Sequence, residues 1–535
     1  MSSTESQLPP GWTWTTVADL TDVGSGLTKN AKKRSASSSR VPLVTVAAVG
    51  FRHIDPEEFG SIKLLEADSD KGTLHAGDIL VVEGNGSKKH IGRVAVWDLD
   101  LPEARHQNHL IRLRPEGGFQ SEYLLEWLAS PGGRERLIEE ATTAAGLFNL
   151  SLSKVSRIQV PLAPKREREN IVTKIDALQA RSRRAREALD AIPDLLDRFR
   201  QSVLAAAFRG DLTADWRAKH PDVEPASVLL ERIRAERKAR WIEAEAERVR
   251  ARAEAKAVKA GKPWGVEQDA KALAAGKKTA EKKYKAPEPV DAEAEGLHEL
   301  PEGWCWAPVE LLNDPVRPIC YGVVQPGPEV EGGTTLIRVC DLVDGGVDLA
   351  ASRTIGPTVD AQYERSRLTG SEVLVSLVGT IGRVAVAPQA AAGANLARAV
   401  ARIAVLDPLV APRWVAAWLS APTMQQRMLS EAREVARKTL NLADLRTAVV
   451  PLAPATEMEH VLETIDTALS TLPNSKAIEI CKGRLDTLDQ AILAKAFRGE
   501  LVPQDRADEP ASALLERIRA ERAATATDGR KRRRR

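Results

Sequence analysis

PASVLLERIRAER, from Pro225 to Arg237, returns as PASALLERIRAER from Pro510 to Arg522, with Val228 against Ala513 the one change. Working outward, other blocks recur in the same order. LPPGWTW (Leu8 to Trp14) is answered by LPEGWCW (Leu300 to Trp306), and IGRVAV stands at Ile91 to Val96 and again at Ile381 to Val386. VPLAP opens at Val160 and at Val450, while AFRGDL at Ala207 becomes AFRGEL at Ala496. Each block follows its first appearance by about 290 residues, far beyond a solenoid period, so each copy is a domain-sized assembly with its own core. The chain is a tandem duplication.

Two textures alternate within a copy. Residues 1–164 and 297–454 mix short β-branched runs such as VPLVTVAAV, GDILVVEGNG and VLVSLVGTIGRVAVAP with Gly turns, which predicts a twisted sheet. A few helices accompany it, including YLLEWLASP and its counterpart WVAAWLSAP. Residues 165–240 and 455–522 carry no strand signals and read as long helix followed by the repeated spacer. In the first of these, Ile171, Ile175, Leu178, Ser182, Ala185, Leu189, Ile192, Leu196, Phe199 and Val203 recur at alternating spacings of four and three, a heptad seam that wants a partner helix. The second copy has Val461, Ile465, Ala468 and Leu472, resuming at Ile478, Cys481, Leu485, Leu488 and Ile492. Pro193 and Pro473 are expected to kink or break their helices. Two amphipathic helices packed on their own domains would give the same pattern; a seam in both copies favours their pairing with each other. The fold class is α+β: two similar α/β domains joined by two long helices.

Between the copies, residues 241–296 hold WIEAEAERVRARAEAKAVKAGKPW and the linker KYKAPEPVDAEAEG, read as a solvated, charged helical arm and a flexible connection. Residues 523–535 form a basic tail ending in KRRRR, read as a disordered end.

A chain of 535 residues supports about two to four domains. It is 43% hydrophobic and 28% charged, and 77 basic side chains nearly balance 74 acidic ones to leave +3. Charge alone therefore does not announce nucleic acid. No run approaches the roughly 20 apolar residues of a membrane span, and MSSTESQLPPGW has no signal-peptide character, so a cytoplasmic location is expected. Cys305, Cys320, Cys340 and Cys481 form no CxxC pair and are expected to be free thiols. There is no phosphate loop, dinucleotide fingerprint, HExxH or metal-spaced Cys/His set, so neither a catalytic centre nor a metal or cofactor site is expected.

The basic, Gly-bearing loops carry different information. KNAKKRSASSSR holds Lys29, Lys32, Lys33, Arg34 and Arg40 with no acid, and GNGSKKHIGR adds Lys88, Lys89, His90 and Arg93. Such cations contact phosphates for register or base edges for discrimination. In the second copy, residues 29–40 correspond to about CYGVVQPGPEVE (Cys320 to Glu331), and SKKHIGR corresponds to LVGTIGR. Framework kept and loops changed is what two heads reading two different short sequences need. A diverged DNA-modifying enzyme and a coiled-coil scaffold without DNA affinity are the rival readings. The enzyme would modify or cut DNA by itself, and the scaffold would not need differing loops on a shared framework.

With LPxGWxW opening each half, YGVVQPG at Tyr321 to Gly327, IGRVAV, VPLAP and AFRG[DE]L in one order twice, the sequence resembles the specificity subunit of type I restriction-modification enzymes over nearly its whole length. The resemblance implies two target-recognition domains joined by two long helices paired antiparallel as a coiled coil with pseudo-twofold symmetry. Each domain would bind one half of a bipartite site in double-stranded DNA. It implies docking of two methyltransferase subunits, addition of restriction/translocase subunits, and use of S-adenosylmethionine, ATP and magnesium by those partners. Where the family commonly carries Glu-Gln at the helix start, the copies have Glu169-Asn170 and Glu457-Met458-Glu459. On this reading the first head grips DNA through Lys29, Lys32, Lys33, Arg34, Arg40, Lys88, Lys89, His90 and Arg93. The second uses Tyr321, Gln325, Thr380, Arg383, Lys438 and Asn441. A helix running from Ile171 to Val203 is about 50 Å long at 1.5 Å per residue, enough to separate the heads by one or more duplex turns of about 34 Å.

Overall fold

The repeated blocks find one another in the fold. In the computed structural model, which describes residues 8–29, 40–65, 70–85, 90–144, 147–343, 345–406, 408–434, 438–473 and 475–533, the first and last strands of each head pair antiparallel. Thr13–Thr16 lies against Gln159–Leu162 with Thr13 opposite Leu162, and Cys305–Pro308 lies against Val449–Leu452 with Cys305 opposite Leu452. The LPxGWxW and VPLAP motifs are thus the two sides of one closure. The chain divides into two compact units at the two helix prolines: Met1–Ile192 with Asn474–Arg535, and Pro193–Pro473.

In the first unit a four-stranded antiparallel sheet has the order Thr21–Ser25, Leu110–Pro115, Ile79–Val82, Val94–Val96. The central strand Ile79–Val82 is buried on both faces, as its unbroken apolar run requires. A three-stranded sheet places Arg40–Val44 between Gly60–Lys63, antiparallel, and Arg105–His106, parallel. Helix Ser121–Ala129 locks onto the closing strand: the Tyr123 hydroxyl donates to the Pro161 carbonyl at 2.6 Å and the Trp127 indole to that of Gln159 at 3.0 Å.

The second unit repeats this plan. Its sheets run Cys320–Tyr321, Val400–Ile403, Val373–Ser376, Val384–Val386, and Arg353–Ile355, Thr334–Ile337, Asn395–Leu396. On helix Pro412–Leu419, Trp414 and Trp418 donate to the carbonyls of Pro451 and Val449 at 2.8 and 2.6 Å. The α+β class expected from the sequence holds in both units.

The helices that follow each head are exchanged. The spacer helix of the first copy, Ala226–Lys259, begins on the second head: Ala226 N–H donates to the Gly303 carbonyl, and Leu229 and Ile233 join the core that holds Trp304. Ala511 of the second copy donates to Gly11 of the first head, and Leu514 and Ile518 enter the core of Trp12 and Val17. The AFRG motifs follow suit. Phe208 packs edge-on to Trp414 and Trp418, while Phe497 packs on Tyr123 and Trp127.

Helix Lys165–Phe208 contains Pro193 without ending there, contrary to a break at that residue, whereas Pro473 does separate Ala455–Ser470 from Ser475–Ala496. The flanks explain the difference. Ala191, Leu195 and Leu196 around Pro193 are good helix formers, while Ser475 after Pro473 competes with the backbone and favours a cap. Within the first unit the two long helices run antiparallel: Arg186 bonds Asp486 and Asp489 at 2.7 and 2.8 Å, and Lys482 meets Asp190 at 2.7 Å. Ile171, Ile175 and Ile492 are buried, and Leu178, Leu189, Ile192 and Leu485 are half-buried. In the second unit Val203, Val461 and Ile465 are buried, and Leu196 and Leu472 are half-buried. Phe199 and Leu488, in register with the heptad, remain 45% and 52% exposed.

The helix-start acid is Glu167 in the first copy, not Glu169. Glu167 accepts the Trp12 indole N–H at 3.0 Å, as Glu457 accepts that of Trp304 at 2.9 Å. The two sockets are otherwise unequal. Glu457 Oε1 also takes the Thr213 hydroxyl at 2.7 Å and the Arg217 guanidinium, whereas Glu167 Oε1 is buried with no partner among the described residues. Val502 stands where AFRGDLT has Thr213. Burial, with Asp508 nearby, pushes the Glu167 carboxyl above its ordinary pKa against the pull of Trp12.

All four cysteines are free. Among the described residues no helix is long and apolar enough to cross a membrane.

Candidate DNA interface

In each head, antiparallel strand order brings several loops to one end of the main sheet. In the second head these are the end of Cys320–Tyr321 and the residues after it, the turn before Val400–Ile403, and the loop between Val373–Ser376 and Val384–Val386. Strand Lys438–Thr439 joins them: Thr439 bridges Val378, and the Lys438 carbonyl accepts the Gly379 N–H at 3.3 Å. Tyr321, Gln325, Thr380 and Lys438 are all exposed at this end. In the first head the same end gathers Ser25 to Lys29, Gln107 to His109, Glu83 to Asn85 and Leu147–Asn149.

The loops are held at equivalent points. Val323 N–H donates to the Leu396 carbonyl and Arg398 N–H returns to Val323, while Leu27 N–H donates to His106 and Asn108 N–H returns to Leu27. Gly322 and Gly26 permit this approach. A Cβ on either would stand 1.7 Å from the Leu396 carbonyl oxygen or 2.1 Å from that of His106. This register corrects the loop correspondence drawn from sequence: Gly26 answers Gly322, so Lys29 answers Gln325, and residues 29–40 do not begin at Cys320. The loops differ in length between the copies, so no single offset carries one onto the other.

Lys29 is exposed, and Arg40 is an exposed residue opening strand Arg40–Val44 opposite Lys63. His90 is half-buried, its ring 6.4 Å from Phe51, and it occupies the place of Thr380 before the shared IGR. Lys32, Lys33, Arg34, Lys88 and Lys89 lie outside the described residues. The two IGR arginines are braces as well as cations: Arg93 donates to the Val46 carbonyl at 3.0 Å, and Arg383 to those of Val339 and Leu342 at 3.4 Å. Asn441 caps helix Leu442–Thr447 in a capping box with Asp444. The geometry therefore brings Lys29 to its loop cluster and Tyr321, Gln325, Thr380 and Lys438 to theirs, and gives Arg93, Arg383 and Asn441 bonds within the head.

Sequence reading missed Asn108 and Arg398. They occupy one backbone position in the two heads, beside Lys29 and Gln325, and Arg398 is exposed, its guanidinium without an ion pair among the described residues. Placing HQNHLIR at His106 against LARAVAR at Leu396 would have exposed the pair, because the framework continues around it. Asn and Arg are the side chains that bond adenine and guanine edges in two-pronged fashion.

His106 lies under this loop in the first head, fully buried, its Nδ1 3.1 Å from the Leu110 carbonyl. Burial, and then Arg112, push its pKa down to about 4. A folded-state value below the unfolded 6.5 means that protons bind the unfolded chain more readily. Stability is full above about pH 6.5 and is lost as pH falls toward 4, by roughly 3 kcal/mol. His106→Leu, the residue at the matching Leu396, should remove this loss from the first unit; an unchanged acid profile in unfolding titrations would refute the assignment.

Two heads of one fold that present different side chains from the same backbone positions make this a two-site recognition protein. The comparisons with known proteins say which kind. No protein-family model matches the chain. It is 33% identical over 400 residues to the EcoBI type I restriction enzyme specificity subunit of Escherichia coli, covering 72% of this chain and 69% of that one. It is 30% identical over 229 residues to the EcoKI specificity subunit of Escherichia coli K12, covering 41% and 48%. A chain from a solved structure concerned with complex assembly and conformational transition of the type I restriction-modification system shares the fold, with a TM-score of 0.58 and 18% identity, covering 92% of this chain and 100% of that one. The chain belongs to the specificity subunits of type I restriction enzymes, the non-catalytic components that recognise the DNA target and assemble with the rest of the complex.

Proposed function

We propose that each head reads one half of a split, asymmetric duplex target, with the long helices setting the gap between halves and docking two methyltransferase subunits, to which restriction/translocase subunits add. S-adenosylmethionine, ATP and magnesium are then consumed by those partners. The observation that carries this reading is the paired substitution on a shared loop frame: Lys29 against Gln325, Asn108 against Arg398, His90 against Thr380. Lys29, Tyr321, Gln325, Thr380 and Lys438 contact DNA at the sheet ends, together with Lys32, Lys33, Arg34, Arg40, Lys88 and Lys89 of the basic loops. Arg93, Arg383 and Asn441 hold those loops in shape. Apolar side chains left open on the long helices, Ile480 and Leu488 in the first unit and Leu195 and Phe199 in the second, offer surface for a partner subunit.

The test is methylome sequencing of the host with the gene intact, deleted and carrying Arg398→Ala. Deletion should erase one split methylated motif. The substitution should relax a single base position in one half, at a cost of about 1 to 3 kcal/mol in binding to the original target. Persistence of every methylated motif after deletion would sink the reading, and uniform weakening at all positions would make Arg398 a phosphate contact instead.

A further inference from the structure

Helix Ala226–Lys259 does not stop where the repeated spacer ends but continues into an arm, and Val266–Lys283 returns alongside it. The two are closely packed: a Cβ on Gly276 would stand 2.8 Å from Ala246 Cα, and Ala246 and Ala280 are fully buried. Arg250, paired with Glu247 and Glu254 on its own helix, reaches across to Asp269, which also accepts the Trp264 indole N–H at 3.2 Å.

This pairing leaves an imbalance of charge. The acids of the arm are taken up by Arg248, Arg250 and Lys271, with only Glu243 and Glu281 outside any ion pair. Among the described residues the remaining cations have no acid partner. Arg252, Lys256 and Lys259 stand at i, i+4 and i+7 along one helix, and Lys278, Lys282 and Lys285 repeat that spacing on the other; all six are exposed. Each set is a stripe about 10 Å long on one face of its helix or just past its end.

The second stripe runs to the base of the hairpin, where the hairpin meets the second head. At the base of the hairpin Trp241 and Tyr284 face each other with ring centroids 5.5 Å apart. Arg237 donates to the Glu310 carbonyl at 3.1 Å, and Arg240 bonds Asp314 at 3.3 Å. A cleft of about 300 Å³ there is lined by Lys283, Lys285 and Arg446 together with Pro318 and Ile319. Ile319 leads directly into Cys320–Tyr321, the strand that carries the candidate reading loop.

We infer that this hairpin is an additional, sequence-independent clamp on duplex DNA, its lysine stripes neutralising backbone phosphates of the duplex that the second head reads. The inference rests on the DNA-recognition reading above. An unpaired cationic face on a rigid hairpin matches a polyanion, and each neutralised phosphate adds about 0.9 to the slope of log affinity against log salt. Because phosphates carry no sequence information, the clamp adds affinity without choosing the target.

The experiment measures binding of the full chain to a long duplex of unrelated sequence across a salt series. Wild type is compared with K278Q/K282Q/K285Q and, separately, R252Q/K256Q/K259Q. At least one variant should bind several-fold more weakly, its salt slope smaller by roughly two to three, with the methylated motif in the host unchanged. Equal slopes for wild type and both variants would overturn the clamp while leaving the recognition function standing. Slopes kept but assembly with partner subunits lost would overturn it in favour of an acidic protein surface. A wild-type chain that binds no duplex at all would remove the recognition reading itself and the clamp with it.

Discussion

Phe208→Ala is expected to cost the second unit about 3 to 5 kcal/mol, the consequence of cutting a buried aromatic back to a methyl and leaving a void. Phe208 is 1% exposed, with its ring edge-on to Trp414 and Trp418 at 5.0 and 5.1 Å. Those indoles hold the closing strand through its carbonyls, so the plug reaches the head's own closure. Phe497→Ala should do the same to the first unit, because Phe497 packs on Tyr123 and Trp127 at 5.3 and 5.2 Å. Denaturant unfolding read by site-specific probes in each head should therefore report opposite assignments: a substitution in the first copy's helix weakens the second head, and the reverse. Loss confined to the head of the same copy would refute the exchange.

The second large effect is expected at Glu457. Glu457→Ala strands the Arg217 cation and the Trp304 indole N–H, and should cost about 3 kcal/mol, toward the low end for a broken buried pair because Arg217 retains partial access to water. Its counterpart Glu167→Ala releases only the Trp12 N–H and should cost about 1 kcal/mol. The difference between equivalent positions is the diagnostic quantity. Equal losses in the same unfolding measurement would show that Thr213 and Arg217 contribute nothing to the socket.

The duplication, the two heads and the paired helices were legible because the chain carries its own internal comparison: blocks that recur in order mark framework, and a recurring four-three spacing marks a buried stripe. What escaped reading depends on the third dimension. Which head a spacer helix covers is a matter of tertiary packing, and PASVLLERIRAER fits either GW turn equally well by its letters. Pro193 was expected to interrupt a helix that runs past it, since flanking propensity outweighs one lost hydrogen bond. The loops were paired by a fixed offset although their lengths differ, and the contact that settles the register, Gly322 against the Leu396 carbonyl, joins residues far apart in sequence. Glu167 was passed over for Glu169 because only the indole of Trp12 distinguishes them. Basic character drew attention to Arg93 and Arg383, which brace carbonyls, and away from Asn108, which bears no charge.

The exchange of spacer helices has a genetic consequence. Because Ala511, Leu514 and Ile518 complete the core around Trp12, the head encoded first is finished by codons that lie downstream of the whole second head. A stop codon between the second head and Ala511 would strike the first head and spare the second. A recombination event that transplants a head with its full support must likewise import two separated stretches of reading frame.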